Sequence, residues 1–392
     1  MKKYKICAVT GTRADYGLLK RTLLRFENNT KIELEVVITG SHLSENFGNT
    51  QNEVIEDGYK NIIKIDIQEK DDSKRAMVES TGIAVEKFAG YFYEKRPDML
   101  VVLGDRFEIF AAATAAAFLG IEIAHISGGD ITEGAIDDTI RHCITKMSYL
   151  HFPGCEQSAK RIIQMGENPN RVFNVGEPGV ENCLNMEFMT LKQLSESIDF
   201  DITDTDYAVV TFHPATMEND TAYEQTYELI HAMNKFADMK YIITMANADA
   251  GGRMINDIWI KESEKHSNWF LTPSLGVLRY LSAVKYAKIV IGNSSSGIVE
   301  APVLKTPTIN IGDRQKGRMM AGSIVNCPAN YDEIINALSE VLEQSFYQKC
   351  KKVISPFGDG TTSSQIEKII LERLSEKEDK NISCKHFYDI DF

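Results

Sequence analysis

Six short polar clusters in this chain each follow directly on an apolar run, and their side chains could between them hold a phosphate and move protons. The first is Thr10-Gly11-Thr12-Arg13-Ala14-Asp15-Tyr16-Gly17. Glycine allows a tight turn, a helix start offers unpaired N–H groups, and Arg13 offers a fork of donors to a phosphate. The segment lacks the GxGxxG of a dinucleotide fold, and a bare turn with a solvated arginine is the plain alternative. The second, Gly104-Asp105-Arg106, puts a carboxylate where a buried strand should end, the usual ligand edge of an open α/β sheet. Asp105 as a simple helix cap is the competing reading.

The densest cluster runs from His125 through Ser127, Gly128, Gly129, Asp130, Glu133, Asp137, Asp138 and Arg141 to His142. It crowds four carboxylates, two histidines and an arginine around a glycine-rich loop. Packed carboxylates can raise one another's pKa, which suits an acid or base near neutral pH. The bland readings are Asp137 as a helix N-cap and His125 as a satisfied core histidine. Further on, His213 in Thr211-Phe212-His213-Pro214 could donate to a phosphate. Gly292-Asn293-Ser294-Ser295-Ser296-Gly297 reads as an oxyanion cradle before a helix, with Glu300 placed to accept from two ribose hydroxyls. Arg314 and Gln315, in Gly312-Asp313-Arg314-Gln315-Lys316-Gly317-Arg318, could address a base or phosphate.

The elements that must position these residues repeat one pattern: short apolar run, turn, helical periodicity. Strands are expected at Ile6 to Val9, Leu34 to Thr39, Ile62 to Ile65, Met99 to Leu103, Ile121 to His125, Leu150 to Phe152 and Val172 to Val175. The pattern restarts at Tyr207 and continues through Lys240 to Met245, Trp269 to Leu271, Ile289 to Ile291 and Pro307 to Ile311. Two α/β domains of Rossmann-like type follow, over 1–176 and 177–361, with Glu177-Pro178-Gly179 as the turn between them. A last helix from Thr362, ahead of a tail to 392, is placed to cross back to the first domain. Ligands of such sheets bind past the carboxyl ends of the strands, so a cleft shared by the two domains is the expected site.

Composition sets the outer limits. With 392 residues the chain exceeds one comfortable core, and 43% hydrophobic with 25% charged residues is ordinary globular usage. The 56 acidic residues against 43 basic ones, a formal charge of −13, leave no basic footprint for nucleic acid. No apolar stretch is long enough to span a bilayer, and the N-terminus reads as a strand, not a signal peptide. Seven scattered cysteines without CxxC spacing argue against disulfides or zinc and fit a reducing cytoplasm. HExxH and GxSxG are both missing, so neither a metal nor a serine nucleophile is expected.

Taken in order, TGTRADYG, GDR, HISGGD with IDDTIRH, FHP, GNSSSG with Glu300, and INIGDRQKGR resemble the hydrolysing UDP-N-acetylglucosamine 2-epimerases of sialic-acid-type sugar biosynthesis. The resemblance runs from Lys5 to about residue 375. It implies two Rossmann-like domains in the glycosyltransferase-B arrangement, an interdomain active site, a homodimer, and no cofactor or metal. It implies that Arg13, His213, Ser294 and Ser295 contact the pyrophosphate, that Glu300 clamps the ribose, and that Arg314 and Gln315 face the nucleotide. Asp105, Asp137 and a glycine-loop carboxylate, Asp130 or Glu133, are the implied acid/base set, with Arg141 helping Arg13 and His213 against the departing phosphate charge. Many relatives carry glutamate before the double glycine, where this chain has Ser127 in a loop one residue longer.

The reaction so implied converts UDP-N-acetylglucosamine and water to N-acetylmannosamine and UDP. Loss of the diphosphate from C1 assists proton removal at C2, and water then adds to the resulting glucal with the opposite C2 configuration. The partner is therefore a nucleotide-activated amino sugar. The nearest alternative sugar is a UDP- or GDP-linked N,N'-diacetylbacillosamine on the way to legionaminic acid. A glycosyltransferase of the same architecture and a non-catalytic sugar-nucleotide sensor are the readings of other classes.

Overall fold

The computed structural model describes residues 3–44, 50–67, 73–132, 136–214, 221–246, 251–380 and 385–390. It divides the chain into two compact units. Unit 1 comprises 1–130, 137–182 and 357–392, and unit 2 comprises 131–136 and 183–356.

Unit 1 begins with β1 (Tyr4–Thr10), α1 (Arg13–Asn28), β2 (Ile32–Ile38), α2 (Gln51–Glu56), β3 (Ile62–Lys64) and α3 (Lys74–Lys95). It continues with β4 (Met99–Leu103), α4 (Phe107–Phe118), β5 (Glu122–Ile126), α5 (Ile136–Met147), β6 (Leu150–Phe152), α6 (Glu156–Gln164) and α7 (Pro178–Asn185). Unit 2 holds α8 (Leu191–Ile198), β7 (Tyr207–Thr211), α9 (Ala222–Lys235), β8 (Lys240–Thr244), α10 (Gly252–Ser263), β9 (Trp269–Thr272) and α11 (Gly276–Tyr286). After β10 (Ile289–Gly292), α12 (Ser295–Val303), β11 (Thr308–Ile311), β12 (Ile324–Cys327), α13 (Tyr331–Val341) and α14 (Gln344–Cys350), the chain returns to unit 1 with α15 (Thr362–Lys380).

All pairings in both sheets are parallel, in the orders β3-β2-β1-β4-β5-β6 and β12-β11-β10-β7-β8-β9. Read from the other edge, the second order repeats the first, so each unit is the same doubly wound sheet. The strands β4, β5, β7, β10 and β11 are buried at every position because helices cover both faces. Along β1, Ile6 and Ala8 join the core under α1 and α15, while Cys7 and Val9 join the core under α3 and α4. In unit 2, Ala208 and Val210 pack with residues of α9, α10 and α13, and Tyr207 and Val209 with residues of α8 and α11.

Two expectations shift. Val172 to Val175 is no strand: Val172 makes a single parallel bridge to His151. Glu177-Pro178-Gly179 is no free turn either, because Pro178 opens α7, where its fixed φ and missing N–H are tolerated. The helix expected from Thr362 does return to unit 1. Ile366, Ile370 and Leu374 of α15 enter the α1 core, and Arg25 Nε donates to Ser363 Oγ at 3.0 Å. Arg373 binds Glu122 at 2.6 and 3.2 Å, both side chains nearly buried.

Candidate active site

A sheet of this order has a switch point where its two halves run apart, between β1 and β4 in unit 1 and between β7 and β10 in unit 2. Arg13, Asp105, His213, Ser294 and Ser295 follow the carboxyl ends of the strands flanking these points, Asp130 follows β5, Arg314 and Gln315 follow β11, and Asp137 and Arg141 lie on α5.

In unit 1, β1 ends in a closed hydrogen-bond box. Thr12 caps α1 and receives the Asp15 N–H, while the Asp15 carboxylate accepts from Gly11 N at 2.9 Å, Thr12 N at 2.9 Å and Tyr16 N at 2.7 Å. It also accepts from Thr10 Oγ1 at 2.9 Å. The Asp15 carboxylate thus engages the N–H groups of Gly11 and Thr12 ahead of the helix and of Tyr16 within it. Arg13 keeps the phosphate-binding prospect here, half-exposed and paired with Glu53 at 2.6 Å.

Asp105 follows Gly104 after β4. The fully buried His125 fixes this turn, with Nε2 2.8 Å from the Gly104 carbonyl and Nδ1 3.3 Å from Thr145 Oγ1 on α5. Burial depresses the His125 pKa to about 4, so near neutral pH it is an uncharged brace. Arg141, also on α5 and 3% exposed, donates to the Asp105 carboxylate and to the Asp130 carbonyl at 2.9 Å, and lies 3.8 Å from Asp138. Burial alone would lower the Arg141 pKa, yet Asp105 and Asp130 raise it. Arg141 therefore gathers the carboxylates, a use that the sequence reading, which aimed it at phosphate, did not foresee. Asp130 accepts from Ser158 Oγ on α6. Asp137 sits inside the first turn of α5, past the helix start at Ile136, so it is not the N-cap. Glu133 lies outside the described residues.

In unit 2 the organising residue is Asn293, just past β10. Its side chain receives the His213 N–H at 2.7 Å and donates back to the His213 carbonyl at 2.8 Å. Its own carbonyl accepts from Arg314 at 3.1 Å and from Gln315 Nε2 at 2.8 Å. One residue thus ties together three of the expected nucleotide contacts. Gly292 makes the crossing possible: with φ at +132°, a Cβ there would stand 2.0 Å from the Thr211 carbonyl. Burial, then the Arg314 charge, holds His213 well below its ordinary pKa. An uncharged His213 can still offer an N–H to a phosphate. Ser294 caps α12, accepting from Ser296 N at 3.3 Å, and Ser295 is exposed at the helix start. Burial pushes the Glu300 carboxyl up to about 7, against the pull of the Ser296 hydroxyl and Arg318.

Among the described residues no group of three or more His, Cys, Asp or Glu could hold a metal ion, and no helix is long and apolar enough to cross a membrane. What the geometry supplies is a carboxylate cluster on one unit and an N–H-rich, arginine-bearing cluster on the other. A family model for UDP-N-acetylglucosamine 2-epimerase matches residues 24–371.

The chain belongs to the UDP-N-acetylglucosamine 2-epimerase family.

As a member it is an enzyme, a UDP-sugar 2-epimerase. It is 39% identical over 345 residues, 88% of each chain, to the GDP/UDP-N,N'-diacetylbacillosamine 2-epimerase (hydrolyzing) of Campylobacter jejuni. To the polysialic acid biosynthesis protein P7 of Escherichia coli it is 35% identical over 387 residues, 98% of this chain and 97% of that one. The crystal structure of UDP-GlcNAc 2-epimerase from Neisseria meningitidis bound to UDP-GlcNAc superposes with a TM-score of 0.81 at 19% identity, covering 94% of this chain and 100% of that one. That last likeness establishes the two-lobed, glycosyltransferase-B-like fold for this epimerase. The sequence reading overlooked two residues of the clusters. Asn293 was legible only as part of a small-residue cradle, and Glu177, taken for a linker turn, receives the Ser127 hydroxyl at 2.6 Å.

Proposed function

We propose that this epimerase acts hydrolytically on a nucleotide-linked N,N'-diacetylbacillosamine, releasing the nucleoside diphosphate and the free 2-epimer. The observation that carries the choice is the 39% identity, over most of both chains, to the Campylobacter jejuni enzyme named for that substrate. This puts first the sugar that the sequence reading had placed second. UDP-N-acetylglucosamine, giving N-acetylmannosamine, is the second reading, favoured by the 35% identity to a protein named for polysialic acid biosynthesis.

In either case the chemistry divides between the two clusters. His213, Ser294, Ser295, Arg314 and Arg13 hold the departing diphosphate, and Glu300 takes the ribose hydroxyls. Gln315, whose Nε2 is engaged with Asn293, supports that side. Well-aimed donors of this kind are each worth on the order of 3 kcal/mol of barrier. As the C1–O bond breaks, Asp105 or Asp137 removes the C2 proton, with Asp130 or Glu133 assisting and Arg141 fixing the set. Water then adds across the alkene.

Purified enzyme incubated with UDP-N-acetylglucosamine and with UDP- and GDP-linked diacetylbacillosamine separates the readings. A bacillosamine donor should give free sugar without any acceptor, at a kcat/KM at least about tenfold above the others, since even one apolar group more or less in a pocket is worth about that much. Faster turnover of UDP-N-acetylglucosamine would reverse the order. No free sugar from any donor would remove the hydrolytic reading altogether.

A further inference from the structure

Ser127 stands at the ligand edge of the unit 1 sheet. It directly follows β5, its N–H donates to the Phe152 carbonyl of β6 at 2.9 Å, and the neighbouring Gly104 N–H donates to Ile126 at 3.1 Å. It therefore lies beside the turn that carries Asp105. Its φ is +60°, a left-handed conformation that costs a non-glycine residue about 1–2 kcal/mol. A glycine would sit there without strain, so the hydroxyl is what distinguishes the residue. That hydroxyl donates to Glu177 Oε2 at 2.6 Å. Ser127 is partly exposed, whereas Glu177 behind it is 7% exposed. Room for the carboxylate comes from Gly154, after β6: a Cβ there would stand 1.9 Å from Glu177 Oε1. Glu177 is fixed from its own side as well, its N–H donating to the Phe357 carbonyl at 2.8 Å. A partly exposed hydroxyl backed by a buried, positioned carboxylate is an arrangement for passing a proton.

We propose that Ser127 and Glu177 form a proton relay for the water that completes the reaction. The proposal rests on the hydrolytic reading above. The water oxygen bonds to C1 of the unsaturated sugar while the C1–C2 π pair takes a proton at C2 from one of the other carboxylic acids. The water proton passes to Ser127 Oγ as the hydroxyl hydrogen of Ser127 moves to Glu177 Oε2. Serine ends as a neutral hydroxyl and Glu177 as a carboxylic acid, which loses its proton to solvent before the next turnover. Ser127 is the group that meets the water, and Glu177 acts through it.

The variants are Ser127→Gly, Glu177→Gln and the double substitution, assayed on the substrate the wild-type enzyme hydrolyses, with thermal unfolding and UDP affinity measured alongside. Ser127→Gly suits the left-handed backbone, and the strain it relieves offsets the lost hydrogen bond to Glu177, so it should fold about as stably as the parent. Its kcat should nevertheless fall by about 10²-fold or more, with KM changed less than about threefold. Glu177→Gln should fall similarly, and the double variant no further than the worse single one, as for residues acting as a unit. UDP release running ahead of free-sugar release would locate the loss in the hydration step. Wild-type kcat in Ser127→Gly overturns the relay even if Glu177→Gln fails to fold. Equal loss of stability and activity in Glu177→Gln, with Ser127→Gly fully active, would make Glu177 a structural residue. A wild-type enzyme that hydrolyses no donor would instead sink the functional reading on which the relay depends.

Discussion

Glu300 shows how a single residue's surroundings set a testable pH dependence. Ribose hydroxyls donate to an acceptor, so the ionised carboxylate is the binding form in the proposed clamp. With its pKa pushed up to about 7, lowering the pH through that value converts the group to the acid. UDP affinity should therefore fall by up to about tenfold per pH unit below about 7. Calorimetric titration from pH 8 to pH 5, with Glu300→Gln as the control for the titration of UDP itself, reads the effect. A slope shared by both proteins would remove Glu300 from the clamp. The same shift has the opposite sign for folding: the folded chain binds a proton that the unfolded chain has released, so this term loses stability as pH rises from about 4.5 through 7. At this scale the sequence told which residue types stand after the strands, but not their partners. Arg141 reads as a phosphate-facing charge until the structure supplies the carboxylates that engage it, and Asp15 emerges only there, as the acceptor that closes the turn after β1. His125, by contrast, matched its bland alternative as a core histidine.

Among the elements, α15 makes a strong claim on stability. It lies at the far end of the chain from β1 and α1, yet Ile366, Ile370 and Leu374 are at most 2% exposed within their core. Removing the Ile370 side chain to Ala should cost about 2–5 kcal/mol, the range for large-to-small changes in a close-packed core. Urea unfolding followed by far-UV circular dichroism checks this. A loss below about 1 kcal/mol would mean that α15 is dispensable to unit 1. The helical periodicity of this segment was legible from Thr362 onward, as was α4 from Phe107 to Phe118. The short elements α2, α8, α14 and β12 were not, because too few residues repeat in them for a period to show.

For the whole molecule, the division of labour between the units makes a prediction of its own. If unit 2 holds the nucleotide and the carboxylates of unit 1 handle the sugar, UDP alone should slow amide hydrogen exchange in 211–214, 292–297 and 312–318. Segments 104–106 and 126–130 should gain comparable protection only with the intact nucleotide sugar. Ligand present at about a hundred times its Kd stabilises the folded form by about 2.7 kcal/mol, ample to register. Equal protection of 104–130 by UDP alone would refute the division.

What the sequence by itself determined was the repeated βα order and the positions at which strands end, because apolar runs and turn residues are local properties of the chain. The Rossmann-like class and the candidate loops follow from these alone. Only the tertiary structure decided which side chains meet, because those meetings join residues far apart in the chain across neighbouring strand ends. Asn293 clasps His213 from 80 positions away, Arg141 reaches back to Asp105, and Glu177 closes on Ser127 through the space that Gly154 leaves open.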